Sequence, residues 1–395
     1  MARCRGGEAA SRLSVLSKTF ERFFESEKSG GFLLIGCTAL SLTLANSQPG
    51  PQYLAFWQTQ LAGMSLEHWV NDALMAVFFL LIGLELEREL YVGELSDFRN
   101  ALLPTAAAIG GMVVPAAIHF SLNGGTPSQS GFGIPMATDI AFALGVLAML
   151  GNRVPAALKV FVVAFAVIDD LGAILIIAAF YTVQLSFWYL AGALAVWGFL
   201  IAMNRMFRVM PLLPYLLGGG LMWFLMLRSG VHATIAGVML AFAIPFTGKD
   251  DDERSPSHRL EQFLHRPVAF FVLPVFALAN TGVVLESDWL QHIASASSLG
   301  IAAGLIVGKP LGIGLFCFAA VASGICRLPP EMGASHIMGA GILGGIGFTM
   351  SIFIANLAFA GQPEAINVAK MAILAASLAA GVAGFLCLRL LSLRP

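Results

Sequence analysis

Two adjacent aspartates, Asp169 and Asp170, stand inside an otherwise apolar run from Val160 to Ile177. A carboxylate at the centre of a bilayer costs about 2.5 kcal/mol or more even on the lenient insertion scale. Two together mark a site where a cation and protons compete for the same oxygens. Consecutive helical residues diverge by about 100°, so one acid can face a cavity while the other meets a neighbouring helix. The small residues Ala164, Ala166, Gly172 and Ala173 around the pair let another backbone approach. The plainer reading of the pair is polar glue between helices.

Other polar residues set in apolar sequence extend the candidate site. Asp139 follows Thr138 in a stretch that mixes helix formers with Gly and Pro. A hard cation such as sodium takes oxygen ligands, which a carboxylate, a hydroxyl and freed backbone carbonyls would supply. Asp139 can equally offset the partial charges of helix ends where the chain breaks, and both roles can hold together. Lys309 lies about mid-span, followed by Pro310. An ammonium out of water calls for a carboxylate beside it. That leaves Lys309 as a fixed counter-charge to Asp169 or a proton carrier, against the alternative of a lysine snorkelling to the interface. Histidine as a residue type titrates near neutral pH, so His232 is either a pH sensor or an ordinary satisfied polar residue. Glu85, Arg88 and Glu89 at one-turn spacing form either a surface ion cluster or the mouth of an ion funnel. Asp72, Lys370, His119 and His336 complete the candidates.

The elements that must hold these residues are membrane helices. The chain is 58% hydrophobic and 11% charged, against about 25% charged in a soluble fold. Helices are expected at 32–46, 68–90, 101–120, 134–150, 155–181, 187–202, 211–227, 231–246, 268–285, 298–322, 334–359 and 363–388. Alternating sides along these twelve spans puts 19 of the 22 Lys and Arg residues on one face and only Arg228 on the other, with Lys309 and Lys370 inside spans. Basic residues collect in the cytoplasm, so both termini are expected there. Residues 1–31, without an apolar core or cleavage signal, read as a retained cytoplasmic tail. Ser47–Glu67 reads as an external connection opening on a Gln-Pro-Gly-Pro-Gln turn. Its Leu54–Gln60 stretch is a candidate hairpin strand. Gly248–Arg266 reads as a cytoplasmic loop, with Asp250–Ser257 solvated. The five scattered cysteines give no disulfide framework or zinc site. The near-zero net charge gives no sign of nucleic-acid binding, and no cofactor is called for.

An internal repeat is visible. The segments 133–144 and 345–355 share a glycine-rich entry and then Thr-x-x-x-Phe. Irregular backbone at that depth is tolerated only where protein or a water cavity satisfies it. The first lies in span four and the second in span eleven, so spans 3–5 and 10–12 would correspond with opposite orientation. Paired interruptions of this kind point to a transporter binding site.

Six stretches together are specific: AsnAspAlaLeuMetAlaValPhePheLeuLeuIleGlyLeuGluLeuGluArgGluLeu (71–90), AlaThrAspIleAlaPheAla (137–143), AlaValIleAspAspLeuGlyAla (166–173), GlyValHisAlaThrIleAlaGlyVal (230–238), GlyLysProLeuGly (308–312) and GlyIleGlyPheThrMetSerIlePheIle (345–354). On these the chain resembles the NhaA-type sodium/proton antiporter family of bacterial inner membranes, over nearly its whole length. The resemblance implies an all-α polytopic membrane protein of about twelve helices, with two inverted-topology triplets whose broken helices cross at mid-membrane. It implies one transporter domain over 32–391, with a core bundle at 101–182 and 297–391 and interface helices at 32–92 and 187–285. Residues 392–395 form a cytoplasmic C-terminus. Asp169 and Asp170 match the family's cation and proton acceptors, for Na+ or Li+, and Thr138 and Asp139 its broken-helix site. Lys309 matches its essential lysine. Glu85, His232 and Glu261 match positions linked to pH control, and Arg88, Glu89 and His265 join them in a cytoplasmic cluster. The implied activity is pH-regulated, electrogenic export of sodium or lithium against protons, by a homodimer in the inner membrane; it is secondary transport, not enzyme catalysis.

Three rivals differ by class. An intramembrane aspartyl protease needs carboxylates converging from two helices, and a retinal-bound pump has fewer spans. A proton-coupled organic-solute transporter needs a larger cavity.

Overall fold

The computed structural model describes residues 29–182, 185–247, 255–285 and 293–392. With no water in a bilayer core, a spanning chain must bond its own backbone. Long apolar stretches accordingly form helices, and the molecule is an all-α polytopic membrane protein. Helix α1 runs Ser29–Ala45 and bends by 118° into α2, Gly50–Trp57. A two-stranded hairpin follows, β1 (Gln60–Leu61) and β2 (Met64–Ser65). The long helices are α3 (Leu66–Tyr91), α4 (Phe98–Asn123), α6 (Ala156–Phe180), α7 (Phe187–Arg205), α10 (Pro256–Asn280), α11 (Ala296–Ala322) and α14 (Pro363–Leu391). Between α4 and α6 lies a broken span, a 3-10 segment at Pro127–Met136 leading through extended residues to α5, Ile140–Leu150. A second break separates α12 (Ala334–Gly344) from α13 (Phe348–Ala358), with a bend of 47°. Among the described residues, eight helical tracts are long and apolar enough to cross a membrane, or ten if each bent pair is one crossing. At the two other expected places are shorter helices, α8 (Leu213–Ser229, 17 residues) and α9 (Ile235–Ala241, 7 residues).

Three expectations change. Leu54–Trp57 is helical, because Pro49 and Pro51 fix the first turn of α2. The strands come later, around a turn where Ala62 and Gly63 take positive φ (51° and 87°). The loop expected up to Arg266 is helical from Pro256. Ser255 caps that helix by accepting from the His258 amide at 3.2 Å, and Pro256 occupies its first position. Ser255 and Ser257 are buried rather than solvated; Gly248–Arg254 lie outside the described residues. The eighth expected span is helical only over α9. Residues 1–28 and 393–395 also lie outside the described part.

Glycine and proline set the packing. Helices α4 and α11 cross at Gly110 and Gly312, where a Cβ on either residue would collide with the other's carbonyl oxygen. Two prolines also reshape helices, since each removes an intrahelical donor. One turn before Pro310 and before Pro274 the helix widens to π geometry, Gly304–Gly308 in α11 and Val268–Val272 in α10. In each, the amide that follows the turn donates five residues back, Lys309 to Gly304 and Leu273 to Val268. A third π turn, Val70–Leu74, lies in α3.

Candidate functional site

The two breaks cross and satisfy each other's backbone. The Asp139 amide donates to the Ile346 carbonyl at 2.6 Å. The Thr138 hydroxyl donates to the Gly344 carbonyl at 2.9 Å, and the Ser351 hydroxyl to the Ile134 carbonyl at 2.7 Å. The Asp139 carboxylate spans both helix starts. One oxygen accepts from the Phe142 amide of α5 at 3.1 Å. The other accepts from the Thr349 amide of α13 at 3.0 Å and from the Thr349 hydroxyl. A single acid thus faces the positive ends of two helices.

Helix α6 passes beside the crossing and sends its two acids different ways. Asp169 meets Lys309, whose Nζ donates to Oδ2 at 2.6 Å and to the Thr138 hydroxyl at 2.9 Å. Both side chains of the ion pair are fully buried. Asp170, also buried, instead lines a narrow cavity with Asp139 and Thr349. Oδ1 of Asp169 and Oδ1 of Asp170 have no hydrogen-bond partner among the described residues.

The cavity, about 40 Å3, also touches Glu85 and His265. These belong to an ionic cluster joining α3 to α10. Arg88 bridges Glu261 at 2.9 Å and Glu89 at 3.1 Å. His265 lies 3.5 Å from Glu85 and 3.9 Å from Glu261. His232 stands apart, its Nε2 at 3.2 Å from the Tyr181 carbonyl.

The structure therefore brings Thr138, Asp139, Asp169, Asp170 and Lys309 into one buried assembly, and Glu85, Arg88, Glu89, Glu261 and His265 into a second. Sequence reading missed Thr349, although its repeat position, matching Thr138, was a usable signal. It also missed His258, which lies 3.5 Å from Glu261, and Glu87, which is buried and accepts from the Ser257 hydroxyl at 3.0 Å. Glu87 sits amid charged neighbours, so nothing in the sequence distinguished it.

Comparison with known proteins follows the same lines. The family profile described as Na+/H+ antiporter 1 matches residues 21–388. The Na(+)/H(+) antiporter NhaA of Dechloromonas aromatica is 69% identical over 373 residues, covering 94% of this chain and 96% of that protein. The Na(+)/H(+) antiporter NhaA 1 of Flavobacterium johnsoniae is 58% identical, covering 95% and 97%. The Na(+)/H(+) antiporter NhaA of Vibrio campbellii is 50% identical, covering 93% and 94%.

Proposed function

The chain belongs to the Na+/H+ antiporter 1 family, and from that membership we propose that it exchanges sodium, and lithium in its place, for protons by competition at Asp169 and Asp170. The observation that carries this reading is the divergence of the two acids. Asp169 is held by Lys309 while Asp170 faces a cavity shared with Asp139 and Thr349. Sodium entering from the Glu85 and His265 end takes oxygen ligands from Asp170, Asp169 and the Asp139–Thr138 break, and protons leave. When the site opens to the other side, protons return and sodium leaves. The ions share one site, so neither crosses without exchange. Two titrating acids against one monovalent cation make the cycle electrogenic, with more protons entering than sodium ions leaving.

Lys309 acts here as the counter-charge that keeps Asp169 tolerable when sodium is absent. The cluster of Glu85, Arg88, Glu89, Glu261 and His265 sets the pH response at the cavity mouth, with His232 contributing from elsewhere. The core bundle, 101–182 and 297–391, moves against the interface helices, 32–92 and 187–285. The protein works as a homodimer in the bacterial inner membrane with both termini cytoplasmic, on the charge asymmetry of the loops and the family's pattern. The organic-solute reading is disfavoured by size, since about 40 Å3 holds roughly three water-sized groups.

Proteoliposomes with an imposed sodium gradient and an internal pH dye, read across a pH series, test this. A sodium-driven pH change that depends on external pH and shifts with membrane potential is the expected result. A sodium gradient that moves no protons at any pH would overturn the proposal.

A further inference from the structure

The cavity is bounded by α3, α10 and α13 together with the α5 break and Asp170 of α6, and α3, α10 and α13 are stitched twice more beyond its inner end. Phe78, Leu81, Ile82 and Glu85 of α3, Leu273 of α10 and Met350 of α13 line the cavity. Next comes an aromatic layer. Phe353 of α13 packs on Phe79 of α3 at 5.4 Å and on Phe276 of α10 at 6.5 Å, with all three rings buried. One to two turns farther from the Glu85 end lies a row of asparagines. The Asn356 amide of α13 donates to the Asn280 carbonyl oxygen of α10 at 2.6 Å. The Asn280 amide donates to Asn71 of α3 at 2.8 Å and back to the Phe276 carbonyl at 3.0 Å. Asn280 is buried, and Asn71 lies inside the π turn of α3. Oδ1 of Asn356 is buried without a partner among the described residues.

We propose that the Asn71–Asn280–Asn356 chain is a latch that closes the ion site on the side opposite Glu85, and that it is released through α13. This deepens the exchange reading above and rests on it. The mechanical link is short. Thr349, which holds Asp139, and Asn356, which holds Asn280, are on one helix seven residues apart, about 10 Å along its axis. A helix of this length moves as a unit. The Asn356–Asn280 bond fails once its atoms part beyond about 3.5 Å, so a shift of roughly 1 Å at the Asp139 end is enough to open it. Rearrangement at Asp139 when a cation or proton arrives is thereby felt at the far closure. The amides carry no charge, so the latch responds to helix position and not to pH. Apolar residues alone would close the gap without registering that position, whereas a hydrogen bond is lost over a fraction of an ångström.

The test uses the full-length protein in membranes, with its native cysteines replaced and exchange retained. A single reporter, Met75→Cys, is placed on α3 between the asparagine and phenylalanine layers, where Met75 is fully buried. Labelling by a membrane-impermeant maleimide from the side opposite Glu85 is compared with Asn356 present and with Asn356→Leu, which keeps the branched heavy-atom shape and removes the bond. One neutral hydrogen bond's worth of bias predicts labelling about 2- to 10-fold faster in Asn356→Leu, with Asn356→Gln closer to the parent. Equal rates with Asn and Leu would overturn the latch. A second arm joins Asn280→Cys to Asn356→Cys with a short reducible thiol crosslinker. Exchange should stop on crosslinking and return on reduction, and undiminished exchange in the crosslinked protein would overturn it too. If the parent itself exchanges no sodium for protons, the transport reading fails by that result, and the labelling comparison still decides the closure.

Discussion

Replacing Lys309 by Met isolates the charge of the buried pair, since the side-chain volume is nearly kept. In the native protein the ammonium bonds Asp169 at 2.6 Å and Thr138 at 2.9 Å, with neither partner of the ion pair exposed. Removing one member of such a pair strands the other, which costs about 3–5 kcal/mol. An unfolding entropy of about 2.1 cal/mol/K per residue over 395 residues gives roughly 0.8 kcal/mol/K. The expected fall in melting temperature is then about 4–6 °C. It is larger if helices persist in micelles and lower the unfolding entropy. The assay is thermal unfolding of purified protein in mild detergent, with Asp169→Asn and the double variant alongside. With both charges gone, the double variant should lose less than Lys309→Met alone, because no buried charge is left unpaired. A Lys309→Met protein melting within about 1 °C of the parent would refute the reasoning. So would a double variant that loses as much as the two single losses added, since contacting residues should couple by about 0.5–3 kcal/mol.

Three further outcomes are expected. Asp170→Asn should reduce sodium/proton exchange in proteoliposomes to background while leaving the protein folded by size-exclusion profile, because an amide neither releases a proton nor neutralises sodium. Glu261→Gln removes the closer of the two carboxylates that Arg88 bridges, at 2.9 Å against 3.1 Å for Glu89, and should move the pH–activity profile along the pH axis more than it lowers the maximal rate. His265→Ala should act in the same way, and unchanged profiles in both, read by dye fluorescence, would remove the cluster from pH control. Gly312→Val places a branched side chain against the Gly110 carbonyl and should destabilise by about 1–3 kcal/mol or more, measured as lost thermal stability, whereas Gly220→Ala, at a glycine with open space around it, should not.

Much was legible in the sequence because the membrane imposes strict rules. An apolar stretch of spanning length has to be a helix, and a pair of acids within one has to have a purpose. The divergence of Asp169 and Asp170 followed from helical geometry alone. The breaks near Thr138 and Gly345 were visible as Gly, Pro, Thr and Ser at mid-membrane depth, and the structure interrupts helices there. Where local chemistry competed with composition, reading was weaker: the polar run before Arg266 concealed a helix that Ser255 and Pro256 start, and Pro49 and Pro51 made a helix of an apparent strand.

What only the tertiary structure decided is partnership. A helix's period says which residues share a face, but not which distant face they meet. Lys309 and Asp169 are 140 positions apart, Thr349 and Asp139 are 210 apart, and Asn356 and Asn280 are 76 apart. From the sequence Asp169 is the expected partner for the lysine, but no local feature of the chain enforces Asp169 over Asp170. The choice is made by the close crossing of α4 and α11 at Gly110 and Gly312, and by the two breaks bonding each other. Burial adds the energetic reason: an unpaired charge or amide out of water is costly, so once the backbones are placed, each buried polar group is bound by whichever partner the packing brings within reach.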